Sequence, residues 1–190
     1  MSKKGKIVVL VSPSGGGKTT MTKRLLKDFK ELRFSVSATT RPPRTGEKEG
    51  VHYHFISEED FKKRIEKGDF LEWEEFYNGT FYGTLRANVE KELEKGYFIL
   101  LDIEVLGALN VKKIFGDDAL AIFIQPPSLE ALKERLSKRG TEDDRTLETR
   151  IDRAKKEMAY ANRFDHLVIN DDLDEAYSQI KELVKNFITQ

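Results

Sequence analysis

Ser12-Pro13-Ser14-Gly15-Gly16-Gly17-Lys18-Thr19 stands between two patterned segments. Before it, Lys6 to Val11 is a β-branched apolar run that reads as a buried parallel strand; after it, Met21, Leu25, Leu26 and Phe29 recur at helical spacing within Thr19 to Phe29. Strand, glycine-rich loop and helix in that order make a phosphate-binding loop. Small residues let several backbone N–H groups converge on a polyphosphate, and the dipole of the helix beginning near Lys18 adds positive potential. Lys18, expected at a solvent-facing loop, is suited to neutralise β- and γ-phosphate oxygens, and the Thr19 hydroxyl to hold Mg²⁺. A strict G-x-x-x-x-G-K-[ST] pattern begins with glycine where this chain has Ser12, so the first turn must accept a Cβ.

The 190 residues suit one compact domain with room for a small insertion. With 33 basic and 33 acidic residues the charges cancel, so bulk attraction to nucleic acid or an anionic membrane is not expected and phosphate binding must be local. The absence of cysteine excludes a disulfide framework and thiolate metal sites and favours a reducing, cytoplasmic setting. The apolar run Ile7 to Val11 is too short for a signal-peptide core or a membrane span.

Further along, Arg33 to Ala38 alternates and puts Ser35 and Ser37 on one face of an extended segment. Pro42 and Pro43 then hold the backbone extended, so that Arg41 and Arg44 can face a common anion. Val51 to Phe55 reads as a short strand; metal binding by His52 and His54 is not expected, since His166 is the only third histidine. Ser57 caps a helix running toward Lys67, with Gly68 as its stop, and Phe70 to Phe76 and Thr80 to Thr84 bracket a hairpin turn at Tyr77-Asn78-Gly79. Alternation sets Glu72 on the face opposite to Leu71 and Trp73. A helix over Arg86 to Lys95 leads to the strand Tyr97 to Leu101, which ends in Asp102. An acid at a strand's C-terminal end is the Mg²⁺-ordering partner expected opposite a phosphate loop. Ala119 to Ile124 is another buried strand, Ser128 caps a helix over Leu129 to Lys138, and the polar run Thr141 to Arg145 reads as a loop before a helix carrying Arg150 and Arg153. A short strand, His166 to Ile169, and an amphipathic helix, Leu173 to Phe187, close the chain.

The stretch Phe34-Ser35-Val36-Ser37-Ala38-Thr39-Thr40-Arg41-Pro42-Pro43-Arg44-Thr45-Gly46-Glu47, continued by Gly50, Tyr53 and Phe55, resembles the GMP-binding signature of the guanylate kinases, phosphate-loop nucleoside-monophosphate kinases. The resemblance spans nearly the whole chain. It implies an α/β fold in which a parallel sheet flanked by helices carries an inserted mixed α/β domain and a lid: residues 1–34 and 85–190 as the nucleotide-binding core, 35–84 as the GMP-binding insertion and 139–152 as the lid. It also implies transfer of the γ-phosphoryl group of ATP to GMP or dGMP, with Mg²⁺ as cofactor.

By the same resemblance, Ser12, Pro13, Ser14, Gly15, Gly16, Gly17, Lys18, Thr19 and Thr20 hold ATP, joined by Arg135 at its phosphates and Asn170 near its adenine. Arg41, Arg44, Tyr53 and Tyr82 resemble the clamp on the GMP phosphate, with Glu47 and Gly83 beside it, and Ser37, Glu72 and Thr84 the guanine readers. Lys18, Arg41, Arg135, Arg139 and Arg150 are the candidate catalytic cations, and Thr19 and Asp102 the metal-holding pair. In Asp102-Ile103-Glu104-Val105-Leu106-Gly107, Glu104 stands where the family usually has aspartate and Leu106 where it usually has glutamine, which would slightly reshape the base pocket. Two alternatives fit the same fold: a related module that binds peptide without chemistry, and a kinase for another small phosphorylated acceptor.

Overall fold

All five side chains of strand β1 (Ile7–Val11) are buried, as a strand covered on both faces requires. The computed structural model describes residues 5–76, 79–138 and 144–189, of which 144–146 by their backbone alone. Strand β1 lies at the centre of a parallel sheet with β2 (Leu32–Phe34), β7 (Phe98–Asp102), β8 (Ala119–Gln125) and β9 (His166–Ile169), in the order β2-β7-β1-β8-β9. The register sets Leu10 beside both Asp102 and Ile122, so β1, β7 and β8 reach the same end of the sheet together.

Alternation along β1 divides the core into two layers. Val8 and Leu10 meet Met21 and Leu25 of α1 (Lys18–Asp28) and Ile180 and Val184 of α7 (Leu173–Thr189). Ile7, Val9 and Val11 meet Val89 and Leu93 of α3 (Arg86–Glu94) and Val105, Ala108 and Val111 of α4 (Val105–Phe115). Helix α4 was not anticipated from sequence. Its apolar residues run all round it, Leu106 and Ile114 lying exposed, so no clean polar face marks it as amphipathic. Helices α5 (Leu129–Ser137) and α6 (Asp144–Met158) share a smaller cluster of Leu132, Leu136 and Ala154.

A second, mixed sheet has the order β4-β3-β6-β5, built from β3 (Ala38–Thr39), β4 (His54–Phe55), β5 (Phe70–Phe76) and β6 (Thr80–Leu85), with α2 (Glu58–Glu66) packed on it. Its core is a compact aromatic group: Phe61 stacks on Phe70 at 4.3 Å between ring centres and meets Phe81 at 5.3 Å.

Three local expectations change. Arg33 to Ala38 is not one extended element: Phe34 ends β2 in the first sheet, and Ala38 begins β3 in the second. The strand expected over Val51 to Phe55 shrinks to His54 and Phe55, because Val51 and His52 close a turn in which both their N–H groups donate to the Lys48 carbonyl. The polar loop expected over Thr141 to Arg145 lies partly outside the described residues, and Asp144 and Arg145 already belong to α6. The caps at Ser57 and Ser128 form as expected, each hydroxyl accepting from an N–H three residues on at 3.1 Å.

Phe61→Ala removes the centre of the second sheet's core. It is expected to lower the free energy of unfolding by about 3–5 kcal/mol in chemical denaturation; a loss below about 1 kcal/mol would show that this cluster holds little of the sheet together.

Candidate active site

The loop after β1 turns on two glycines with left-handed backbone, Gly15 (φ 89°) and Gly17 (φ 100°). Gly17 is the N-cap of α1 and no side chain caps that helix, so its first turn presents backbone N–H groups and the positive end of its dipole to the loop. Ser12 is buried and its hydroxyl donates to the Pro13 carbonyl at 3.1 Å. Its Cβ fits because position 16 has none: a Cβ on Gly16 would lie 2.8 Å from that of Ser12. From behind, the buried Asn170 amide donates to the Gly16 carbonyl at 2.8 Å, while Asn170 Oδ1 has no partner among the described residues.

Lys18 does not face solvent as expected. Its side chain, 13% exposed, lies 3.1 Å from Asp102 Oδ1 and 3.7 Å from Glu104 Oε1, and its ammonium donates to the Ile103 carbonyl at 2.9 Å. Burial pushes the Lys18 pKa down, but Glu104 and Asp102 outweigh it and the net shift is upward, so the ammonium stays charged. The other Asp102 oxygen accepts from the Thr22 hydroxyl at 3.3 Å. Among the described residues no three His, Asp or Glu side chains gather into a metal-binding group. Thr19 and Asp102 offer hard oxygen donors of the kind Mg²⁺ takes when phosphates and water complete its shell.

Two cavities meet at this lysine. The first, about 760 Å³, is lined by Ser12 to Gly15, Gly17 to Thr20, and from α6 by Arg150, Arg153 and Glu157. The second, about 350 Å³, lies between the two sheets and includes Ser37, Tyr53, Glu72, Tyr82, Gly83 and Asp102. Lys18, Thr19, Phe76 and Glu104 line both.

At the second cavity, Tyr53 and Tyr82 meet edge to face with ring centres 5.8 Å apart, and burial raises the Tyr53 pKa, which keeps its hydroxyl a neutral donor. Arg41 donates to the Tyr82 hydroxyl at 3.3 Å and forms a two-pronged pair with Glu47 at 2.8 and 2.9 Å. The Arg41 hydrogen bonds, then the Arg44 N–H, hold the Glu47 carboxyl down at about 2. The Arg44 side chain is exposed, so only its backbone joins this group.

Glu72 is 9% exposed, and its Oε1 accepts from the Thr84 hydroxyl at 2.6 Å across the β5–β6 ladder. Burial raises its pKa to about 7, the Thr84 hydrogen bonds pulling the other way. A register irregularity between Phe70 and Glu72 interrupts the alternation: Leu71 packs with Val105 and Ala108 of α4, and Glu72 also turns toward α4, at Gly107, while Trp73 is exposed. The expected opposition of Glu72 to Leu71 therefore does not hold.

The arginines are spread. Arg150 hydrogen-bonds the Ser14 hydroxyl at the first cavity, whereas Arg135 donates to the Asn170 carbonyl at 2.8 Å and lines neither cavity. Arg139 lies outside the described residues. Not marked for the site from sequence was the group around Arg153, which pairs with Glu157 at 2.6 Å, Glu74 at 2.8 Å and Glu104 at 3.4 Å and lies 4.6 Å over the Phe76 ring. These partners come from α6, β5 and the segment after β7; no local spacing announces them. His52 and Phe34, which also line the second cavity, gave no signal beyond strand alternation.

A family model described as guanylate kinase matches residues 4–187. A guanylate kinase of Salinibacter ruber is 53% identical over 183 residues, covering 96% of this chain and 97% of its own. One of Bacteroides thetaiotaomicron is 47% identical over 186 residues, covering 98% and 91%. The crystal structure of guanylate kinase from Anaplasma phagocytophilum superimposes with a TM-score of 0.78 at 32% identity, covering all of this chain and 89% of that one.

The Glu72 shift has a measurable sign. Between the ordinary carboxyl pKa of 4.5 and about 7 the folded chain keeps a proton that the unfolded chain has lost, so ionisation destabilises the fold as pH rises through that window. Glu72→Gln is expected to be more stable than the parent at pH 8, by up to roughly 3 kcal/mol, with the gap closing by pH 4.5. Melting curves of both proteins across this range test it; a gap independent of pH would mean that Glu72 titrates normally.

Proposed function

The chain belongs to the guanylate kinase family and transfers a phosphoryl group from ATP to GMP; we propose that the first cavity seats ATP, the second GMP, and that transfer takes place at their shared wall. The observation that carries this reading is Lys18, a largely covered, carboxylate-paired cation at the junction of a glycine-turned loop and an aromatic, hydroxyl-lined pocket.

In this reading residues 1–34 and 85–190 form the ATP-binding core, 35–84 the GMP-binding insertion and 139–152 a lid over the phosphates. The loop amides and Thr20 hold the β- and γ-phosphates. Lys18, already positioned by Asp102 and Glu104, exchanges part of that pairing for phosphate oxygens as ATP enters, so its charge starts beside the transferring group and shifts only over the last step. Arg150, near Ser14, and Arg139 of the lid, with Arg135 from α5, neutralise the charge that spreads over the equatorial oxygens. Thr19 and Asp102 would hold Mg²⁺, which supplies charge neutralisation across the phosphates when bound. On the acceptor side Arg41, Arg44, Tyr53 and Tyr82 grip the GMP phosphate, with Glu47 fixing the Arg41 fork.

The acceptor phosphate oxygen attacks in line, and ADP leaves; a phosphate oxygen is nucleophilic at neutral pH, so no general base is needed. Glu72, with Ser37, Thr84 and Gly83 around it and Glu104 beyond, reads guanine. An ionised carboxylate can accept from N1–H and the exocyclic amine, whereas adenine has no N1–H and would leave the charge unpaired. The segment that turns away from the sheet after β7 thus serves both substrates. A cytoplasmic location, with ATP and GMP drawn from metabolite pools, belongs to the same reading.

Lys18→Met is expected to cut turnover by about a hundredfold or more, read as ADP release in a coupled assay with GMP. Near-normal turnover would remove Lys18 from the transfer step. The same assay across GMP, AMP, UMP and CMP tests the acceptor: Glu72→Gln should depress the GMP specificity constant sharply with little change in KM for ATP, and an undiminished preference for GMP would mean that guanine is read elsewhere.

A further inference from the structure

Gly107 sits in α4 with no left-handed backbone to demand glycine. Alanine is the better helix former at such a position. What excludes a side chain there is Glu72: a Cβ on Gly107 would lie 2.6 Å from Glu72 Oε2, 3.0 Å from its Cγ and 3.1 Å from its Cβ. Three atoms of one side chain crowd that point, so rotating the carboxylate alone does not clear it. Nor can Glu72 swing away freely, because its other oxygen is tied to Thr84 at 2.6 Å. Helix α4 is equally fixed. Asn110 donates to the Leu71 carbonyl, next to Glu72, and Val105, Ala108 and Val111 are packed in the core with Leu71.

We propose that Gly107 is a positioning residue for base recognition: its missing side chain is the seat of the Glu72 carboxylate, which Thr84 holds on one side and the bare helix backbone supports on the other. This rests on the reading that Glu72 pairs with guanine, and it adds that the aim of the carboxylate is set by α4. The irregularity between Phe70 and Glu72 is what brings the side chain to that helix.

The test is Gly107→Ala, assayed with GMP and AMP. KM for GMP is expected to rise about tenfold or more with KM for ATP unchanged and kcat altered much less, because a displaced carboxylate weakens pairing with the base and leaves the phosphates alone. Melting temperature should fall only modestly, because the crowding falls on one side chain and alanine is the better helix former. A GMP KM within about twofold of the parent, or a marked fall in melting temperature, would overturn the inference, the latter by placing the crowding in the fold rather than in recognition. Glu72→Asp, one methylene shorter, should cost less in the Gly107→Ala background than alone; equal losses in both backgrounds would break the link between the two positions. Glu72→Gln separates the underlying reading from this one. If it leaves GMP preference intact, guanine is not read by Glu72. If it abolishes the preference while Gly107→Ala does not, only the positioning role fails.

Discussion

Lys18 is held at the end of the parallel sheet by carboxylates rather than by solvent, and the arrangement around it follows from that pairing. The register of β7 against β1 delivers Asp102, the turn after β7 delivers Glu104, and the start of α1 delivers the lysine. Arg153 plays a parallel role one layer away, drawing together Glu74, Glu104 and Glu157 from three segments. Acids that line an anion site look misplaced until their effect is counted: each holds a long, flexible cation in one conformation, so its entropy is lost during folding and not during binding. Glu47 does the same for Arg41.

Burial then decides which of these acids remain simple counter-ions. Glu47 is partly buried and tightly paired with Arg41, and its carboxyl stays ionised far below neutrality. Glu72 pairs with no cation among the described residues; it is buried, accepts from the Thr84 hydroxyl, and burial, with Glu104 and Glu74 adding to it, pushes its carboxyl up to about 7. The same residue type thus serves as a brace in one place and as a group that gains by meeting donors in another. That difference is in keeping with the proposal that the partner of Glu72 arrives with GMP.

Most of the frame was legible in the sequence because it rests on local rules. The buried run of β1, the loop glycines, the caps at Ser57 and Ser128 and the hairpin strands β5 and β6 each carry their signal within a few residues. Helix α4 was hidden by its lack of a polar face, and the strands β3 and β4 are two residues each, too short for periodicity to register. At the candidate site the loop and the acid at Asp102 follow from pattern, and the resemblance carried by the signature around Arg41 names Ser37, Tyr53, Glu72, Tyr82 and Gly83, which line the second cavity. Asn170 behind Gly16 and Arg153 against Glu74 could not be read this way, since 154 and 79 residues separate the partners. Such contacts exist only once the sheets are assembled.

The phosphate loop also shows how a motif can tolerate a departure. Ser12 stands where glycine is usual, and its Cβ occupies room that Gly16 leaves open. The space is a property of the pair, not of either site. In evolutionary terms positions 12 and 16 are therefore epistatic: a lineage carrying Ser12 has closed position 16 to any side chain, and a path that reopened it would first have to pass through glycine at 12. Even then the newcomer would meet the Pro13 carbonyl at 3.0 Å, so glycine at position 12 alone does not free position 16.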